Sequence, residues 1–159
     1  MTELPLAVVI SVLVKDNKIL LIKRLKGDYM GLLGLPGGKV EKNEHLSEAA
    51  VREIVEESGI EARFKSHLGF VSEHLIEGEN IIQHFLLHIC ELEPITTEIT
   101  KNQEGNLAWF GMEDMNSLEN QIIPSDFMII DKFVRNKGKT YFNSIIEKVG
   151  EAHILKKFE

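Results

Sequence analysis

Apolar residues fall into short runs along the chain, and these runs predict β-strands. Residues 6–14 and 19–23 are rich in Val, Ile and Leu, and the polar residues between them predict a turn, so we expect a hairpin. Residues 61–74 and 79–93 are two further predicted strands, and residues 106–110 are a short one. The pattern therefore indicates a sheet of several strands.

The last third of the chain changes to a helical spacing of apolar residues. Residues 112–118 are predicted to form a short helix, and residues 125–135 a longer one with Ser125 as its N-cap. Its buried side is predicted to carry Ile129, Ile130 and Phe133. The residues after 136 fit either a helix or a hairpin, and the turn signal at Gly150 with the β-branched content favours the hairpin.

Composition excludes several classes of function. The net charge of −7 argues against a nucleic-acid polymer as partner, although a few cations or a metal ion can hold a small phosphorylated ligand. Cys90 is the only cysteine, so no internal disulfide can form and a reducing compartment is expected. The first residues lack signal-peptide features and no apolar window is long enough to span a bilayer. We therefore expect a cytoplasmic protein with no membrane partner.

The segment at residues 45–58 is the informative one. It is predicted to be a helix with Asn43 as N-cap and Gly59 as C-cap. One arc carries a cluster of charges, consisting of Arg52, Glu53, Glu56 and Glu57, and the opposite arc is expected to be buried, with Ser47, Ala50, Val51, Ile54 and Val55. A solvated charged face is one interpretation of this cluster. The other is a cation site, because the carboxylates repel one another at these spacings and Mg²⁺ prefers such oxygens.

A glycine-rich loop directly precedes this helix. Gly34, Pro36, Gly37 and Gly38 mark a shaped loop whose backbone can approach a metal ion or a phosphate closely. Within the cluster, Arg52 is expected to pair with Glu48 and Glu56 and to offset only part of the repulsion. The loop and the acidic arc together favour the cation site.

The same residues resemble a known family motif. Gly38, Glu44 and the run Arg52-Glu53-Ile54-Val55-Glu56-Glu57-Ser58-Gly59-Ile60 match all nine fixed positions of the 23-residue Nudix box, and the preceding Leu35-Pro36-Gly37 is similar to the usual entry into that box. The resemblance implies a MutT-like nucleoside polyphosphate pyrophosphohydrolase. It implies an α/β/α sandwich with a mixed β-sheet, in which the box forms a loop–helix–loop. We expect one domain over residues 1–159, with residues 136–159 as a C-terminal extension lacking an obvious counterpart.

The resemblance also implies roles for the box residues. Glu56, Glu57 and the carbonyl of Gly38 would bind the metal, and Glu53 would be a further ligand or the general base. Arg52 would orient the carboxylates. Glu44 would brace the loop, through Arg52 or through helix amides. The implied cofactor is Mg²⁺, with Mn²⁺ as a substitute, and the chemistry is attack of water on a diphosphate.

Four residues other than the fixed positions of the box are further candidates. Glu104 is a second candidate for the base or an additional ligand, with a surface glutamate as the alternative. Arg24 and Lys39 adjoin the predicted site and would bind phosphate, although each fits a solvated surface role equally well. Trp109 would either stack on a base or pack in the core.

The substrate is predicted by elimination. Relatives that hydrolyse ADP-ribose tend to carry a proline beyond the box and diadenosine polyphosphate hydrolases a tyrosine, and residues 74–78 contain neither. This leaves a small nucleotide substrate, a nucleoside triphosphate in normal or oxidised form. The alternatives are an ADP-ribose or nucleotide-sugar pyrophosphatase and a non-catalytic nucleotide-binding regulator. The oligomeric state is left open, with a homodimer as one option.

Overall fold

The computed structural model describes residues 3–101 and 105–159, and a mixed sheet of nine strands forms its centre. The strands are β1 Leu6–Lys15, β2 Lys18–Arg24, β3 Leu33–Gly34, β4 Gly37–Lys39, β5 Ala62–Glu77, β6 Asn80–Pro94, β7 Gly105–Gly111, β8 Tyr141–Val149 and β9 Ala152–Phe158. Their order is β3-β2-β1-β6-β5-β8-β9, with β4 on β1 and β7 on β2. The five strands predicted from the sequence are therefore confirmed, although β5 extends to Glu77 and β6 is shifted by one residue.

Two helices lie on opposite faces of this sheet. Helix α1, Leu46–Ser58, packs against Val9 and Leu13 of β1, whereas helix α2, Pro124–Ile129, packs against Ile10 and Val12. Successive side chains of a strand point to opposite faces, so the alternation within β1 separates two cores. The predicted α/β/α sandwich with a mixed sheet is confirmed.

Helix ends differ from the sequence predictions. Asn43 is not the N-cap of α1, because the chain is still in a turn there, and His45 takes the position with extended backbone. The predicted C-cap is confirmed, since Gly59 has a left-handed φ of 77° and its amide bonds to the carbonyl of Val55. Ser125 is not the N-cap of the second helix either. Ile123 is, and Pro124 occupies the first turn, where a missing N–H costs nothing.

The segments around α2 are also corrected. Residues 112–118 form only a short 3₁₀ turn, Met112–Asp114, because their backbone bonds close tight turns that bring Met115 into the core. Beyond α2 the chain continues as a π-helical stretch, Ile130–Arg135, so the predicted long helix has two parts. Ile129, Ile130 and Phe133 are buried as predicted.

The C-terminal residues form a hairpin, as the sequence favoured. Strand β8 pairs with β5 in parallel and β9 pairs with β8 antiparallel, which extends the sheet by two strands. Phe142, Ser144 and Ile146 alternate as buried positions along β8, and this two-residue period excludes the helical alternative. Within the described residues, no helix has the length and apolar character needed to cross a membrane.

Candidate active site

Arg52 is the centre of the charged cluster on α1. Its Nε and Nη2 atoms donate to the two carboxylate oxygens of Glu44 at 2.8 and 2.7 Å. Its Nη1 donates to Glu53 Oε1 at 3.0 Å and to Glu56 Oε2 at 3.2 Å. The bond from Arg52 lowers the pKa of Glu44 to about 2, and the same pairing raises the pKa of Arg52. The pair of Glu44 and Arg52 is therefore ionised at neutral pH.

The same arginine ties the glycine-rich loop to the helix. Arg52 Nη2 also donates to the carbonyl of Lys39 at 3.2 Å, and Glu44 accepts a bond from the amide of Glu41 at 2.9 Å. Glu48 was expected to pair with Arg52, but this is wrong. Glu48 accepts the His45 amide at 2.9 Å and so completes the start of α1. Glu44 thus contacts both the loop and the helix, in the place that the box resemblance gave it.

The backbone of Gly38 lies very close to the carboxylate of Glu53. A side chain at Gly38 would overlap the carboxylate of Glu53, with Oε2 only 2.7 Å from the added carbon. Strand β4 is held in this place by β1, where Gly38 pairs with Val9. The loop backbone therefore lies against one of the predicted metal ligands, and a side chain at residue 38 would have to displace that carboxylate.

Two residues of α1 are placed differently from the helical-arc prediction. Glu57 is buried, with 5% of its surface exposed, whereas Val55 is 38% exposed. The buried face of α1 is centred on Ala50, Ile54 and Ser58, so Val55 turns outward. Glu57 lies on the flank of this face and lines a cavity that it shares with Gly38. The three box carboxylates thus differ in exposure, and Glu57 is the one that reaches the cavity.

This cavity has a volume of about 470 Å³. Its apolar wall comes from the sheet and includes Val8, Ile10, Leu75, Phe85 and Leu87. Arg24, Lys26 and Lys39 also line it, so it carries cations as well as the acid Glu57. Arg24 and Lys39 are exposed, and Arg24 Nε donates to the carbonyl of Asp28 at 3.1 Å. The two predicted phosphate-binding residues are therefore brought beside the box, with Lys26 as an addition.

Two buried acids in the cavity wall were missed from the sequence. Glu73 of β5 accepts a hydrogen bond from Ser144 Oγ at 2.9 Å, and Asp126 of α2 accepts one from the Leu35 amide at 2.9 Å. Burial raises the pKa of Asp126 to about 7 and also raises the pKa of Glu73. At neutral pH the Asp126 carboxyl group is therefore partly protonated, and the shift of Glu73 is in the same direction.

Periodicity contains a signal that would have found both acids. Glu73 lies between Val71 and Leu75 in the two-residue alternation of β5, on the inward face. Asp126 precedes Ile129 and Ile130 by three and four residues, which places it on the buried side of the second helix. A polar residue in an apolar stripe is the informative observation, because burial of an acid is costly without a partner.

Tyr29 also lines the cavity, and no periodic pattern predicts it. It lies in the connection between β2 and β3 with a positive φ of 64°, and its ring centroid is 4.2 Å from that of His153. Burial is the main cause that raises the pKa of its hydroxyl. Tyr29 is therefore a neutral, amphipathic side chain at the wall of the cavity.

Two other candidates are resolved differently. Trp109 is partly buried against the α1-side core and donates its Nε1–H to the carbonyl of Thr97 at 2.9 Å, so it has the packing role. It is not among the residues that line the cavity. Glu104 lies outside the residues that the structure describes, and its predicted role stays a prediction.

The donor chemistry of the cluster suits a hard divalent cation. Glu53, Glu56, Glu57 and the Gly38 carbonyl offer oxygen ligands only, which is the preference of Mg²⁺. In residues 3–101 and 105–159, no three Asp, Glu, His or Cys side chains are already gathered around a single cation position. Arg52 occupies Glu53 and Glu56 in this arrangement. An ion would therefore have to share these carboxylates with the arginine or displace it.

Comparison with known proteins is consistent with this geometry. A family model described as the NUDIX domain matches residues 4–133. The chain is similar to CTP pyrophosphohydrolase from Escherichia coli, with 32% identity over 128 residues that cover 80% of this chain and 90% of that protein. It is also similar to an ADP-ribose pyrophosphatase from Methanocaldococcus jannaschii, with 50% identity over 68 residues that cover 43% of this chain. That match spans only 40% of the length of the relative.

A solved structure extends the likeness to nearly the whole fold. The MutT protein from Bacillus halodurans superposes with a TM-score of 0.76 over 97% of this chain and 96% of its own, at 21% identity. At that identity the likeness concerns the fold alone. The family match ends at residue 133, before the C-terminal hairpin begins at Tyr141.

Proposed function

Because the chain belongs to the Nudix family, we propose that it is a Mg²⁺-dependent pyrophosphohydrolase that splits a nucleoside triphosphate into a monophosphate and pyrophosphate. The observation that carries this proposal is the shared cavity. Glu57 and Gly38 of the box line it together with three cationic side chains, and an apolar wall with two buried acids completes it. A diphosphate and a nucleobase are the two chemical parts that such a lining accommodates.

Each group of the site has a place in the reaction. Glu53, Glu56, Glu57 and the Gly38 carbonyl would hold the divalent ion, which supplies charge neutralisation on the phosphoryl oxygens and a more acidic water. Arg24, Lys26 and Lys39 would bind the phosphate oxygens and orient the chain of phosphates. Mn²⁺ would replace Mg²⁺, since both accept oxygen ligands.

Bond breaking then follows in-line attack. A water oxygen attacks one phosphorus, the anhydride P–O bond on the opposite side breaks, and the leaving phosphate departs as an oxyanion. Where Glu56, Glu57 and the Gly38 carbonyl alone hold the ion, Glu53 is the carboxylate that accepts the proton of the water, and Arg52 keeps it beside Gly38. Glu44 is ionised and bonded to Arg52, so it positions the arginine rather than transferring protons.

The choice of a nucleoside triphosphate rests on the cavity wall and on one relative. Nucleobases are flat, apolar on their faces and rich in N–H and carbonyl groups at their edges. Phe85 and Leu87 suit the faces, and Glu73 and Asp126 suit the edges. CTP pyrophosphohydrolase, which the chain matches over most of its length, supports the same class.

An ADP-ribose pyrophosphatase is the second candidate, favoured by the relative with that name. A non-catalytic regulator is disfavoured, because every fixed acid of the Nudix box is present.

A substrate panel tests the proposal. The four ribonucleoside and four deoxyribonucleoside triphosphates, 8-oxo-dGTP, ADP-ribose and two nucleotide sugars are incubated with protein and Mg²⁺, and products are identified by mass spectrometry. We expect monophosphate and pyrophosphate from at least one triphosphate at the highest kcat/KM. A higher kcat/KM for ADP-ribose or a nucleotide sugar would transfer the proposal to that class, and no turnover of any compound would refute it.

A further inference from the structure

The C-terminal hairpin contacts the cavity, although it lies beyond the residues matched by the family model. Lys148 Nζ is 3.1 Å from Asp28 Oδ1, and His153 Nε2 is 3.7 Å from the same oxygen. The His153 ring stacks obliquely on Tyr29. Asp28 and Tyr29 both line the cavity, so β8 and β9 hold part of its wall from behind.

The segment they hold has little other support. The connection between β2 and β3 has positive φ values at Gly27, Tyr29 and Gly31, and most of its residues are exposed. Its backbone bonds run within the connection or to its own ends, as in the bonds from Gly31 to Arg24 and from Leu32 to Tyr29. Such loops have few buried contacts and low local stability. The contact of His153 with Tyr29 and that of Lys148 with the adjacent Asp28 therefore tie this connection to the hairpin.

The exposure of the contacting side chains indicates whether they position the cavity wall or stabilise the fold as a whole. The side chains of Lys148 and Asp28 are 31% and 42% exposed, and ion pairs with this exposure contribute little to the stability of a fold. The side chain of His153 is only 4% exposed and is covered by the loop. A contact that is weak for stability but located behind a cavity wall acts mainly on the shape of that cavity.

A second contact joins the hairpin to the same wall. Ser144 of β8 donates to Glu73, and both side chains are buried. Glu73 and Tyr29 approach the cavity from different elements, β5 and the loop, yet each is bonded to or stacked on the hairpin. The hairpin thus contacts two of the polar groups that line the cavity.

We propose that the hairpin β8–β9 is a positioning element of the substrate site, which sets Tyr29 and Glu73 against the nucleobase and so governs affinity and base selection. The proposal rests on the proposed function for the nature of the ligand, a nucleotide. Lys148, His153 and Ser144 are positioning residues, since they act through Asp28, Tyr29 and Glu73 and do not line the cavity themselves within the described residues.

The test compares two lysines of the same hairpin. Lys148→Met removes the contact with Asp28, and Lys156→Met removes a similar pair with Glu147 at 3.6 Å that does not reach the cavity. We expect Lys148→Met to raise KM, and the Kd of a non-hydrolysable α,β-methylene triphosphate, by about five- to tenfold with kcat within about twofold. The differences in kcat/KM between nucleoside triphosphates with different bases should become smaller. Lys156→Met should match the wild type in all of these.

Charge reversal and a second contact make the test specific. The double variant Asp28→Lys with Lys148→Asp should recover nucleotide binding relative to either single change, and Lys148→Arg should stay close to the wild type. Ser144→Ala should weaken binding of the same analogue without changing kcat. A general structural role would instead lower kcat and melting temperature together and would show no recovery in the reversed pair.

In this design, failure of the proposed function can be distinguished from failure of the positioning role. If the wild type turns over no compound but Lys148→Met binds the analogue more weakly than Lys156→Met, the proposed function is wrong and the positioning role stands. Equal Kd values for the two variants overturn the positioning role whatever the activity. Absence of saturable analogue binding by the wild type also overturns it.

Discussion

Two groups of acids lie at the site, one around Arg52 of α1 and one in the wall of the cavity, and they differ in their partners. Glu44, Glu53 and Glu56 on the α1 side surround Arg52. Glu73 and Asp126 on the α2 side have hydroxyl and amide partners instead. The pKa of Glu44 is lowered to about 2 by its arginine, whereas burial raises the pKa of Asp126 to about 7. The site thus combines carboxyl groups whose pKa values are shifted in opposite directions.

The difference separates two kinds of chemistry. Ionised carboxylates around a cation are suited to exchange that cation for a metal ion, because the negative charge is already present. Carboxyl groups that hold a proton can donate as well as accept hydrogen bonds, which suits a neutral polar ligand such as a nucleobase. We therefore expect substitutions in the two groups to affect different measurements.

The largest effect is expected in the box. Glu57→Gln and Glu56→Gln should each lower kcat by about 100- to 1,000-fold, because a neutral amide neither neutralises the divalent ion nor supports proton transfer. Steady-state kinetics on the best substrate of the panel measures this, with circular dichroism to confirm that the fold persists. The exposed Glu61→Gln change, just beyond α1, removes the same charge and is the control. Near-normal activity of both box variants would contradict the assignment.

The buried acids should govern stability rather than turnover. Asp126 has a folded pKa of about 7 against an ordinary 3.8, so its protonated form stabilises the fold below about pH 4 and this contribution is lost as pH rises through 7. Asp126→Asn cannot ionise and still offers an oxygen to the Leu35 amide. The free energy of unfolding of the variant minus that of the wild type should therefore be larger at pH 8 than at pH 4, by at most about 4 kcal/mol.

Urea unfolding at the two pH values measures that gain. The matched control is Asp16→Asn, at an exposed turn position with a positive φ of 52° that asparagine also adopts. We expect this change to alter the free energy of unfolding equally at both values. A pH-independent difference for Asp126→Asn would show that the carboxyl is ionised in the folded protein, and the contrast between the two acid groups would disappear.

The two groups were not equally predictable from the sequence. The box acids lie within one helix, so fixed spacing along the chain puts Glu53 and Glu56 beside Arg52, and the resemblance to the Nudix box rests on that spacing. The alternation of apolar residues predicted the longer strands for the same local reason. Burial along α1 was predicted less well, since helical spacing alone does not show that tertiary packing leaves Glu57 buried and Val55 exposed.

The partners of the residues in the cavity wall could be identified only from the fold. Glu73 meets Ser144 across 71 residues of chain and Asp126 meets Leu35 across 91, so no local pattern joins them. Tyr29 depends on a left-handed backbone conformation in a loop, which its residue type does not favour. The two helix N-caps were predicted wrongly for a simpler reason. The residue pattern predicted the helices, but polar residues such as Asn43 and Ser125 suit several positions near a helix start.

Metal binding is expected to give the smallest effect and still separates the two groups. Because Arg52 already neutralises Glu53 and Glu56, an ion gains less than it would from unpaired carboxylates, and its binding is correspondingly weak. At a Mg²⁺ concentration ten times its Kd, linkage stabilises the fold by about 1.4 kcal/mol, a rise of roughly 3–6 °C in melting temperature. Differential scanning fluorimetry should show this rise in the wild type and in Asp126→Asn but not in Glu57→Gln. An equal rise in Glu57→Gln would show that the ion binds away from the box. No rise in the wild type at millimolar Mg²⁺ would mean that the carboxylates stay paired with Arg52 until the substrate and the metal ion bind together.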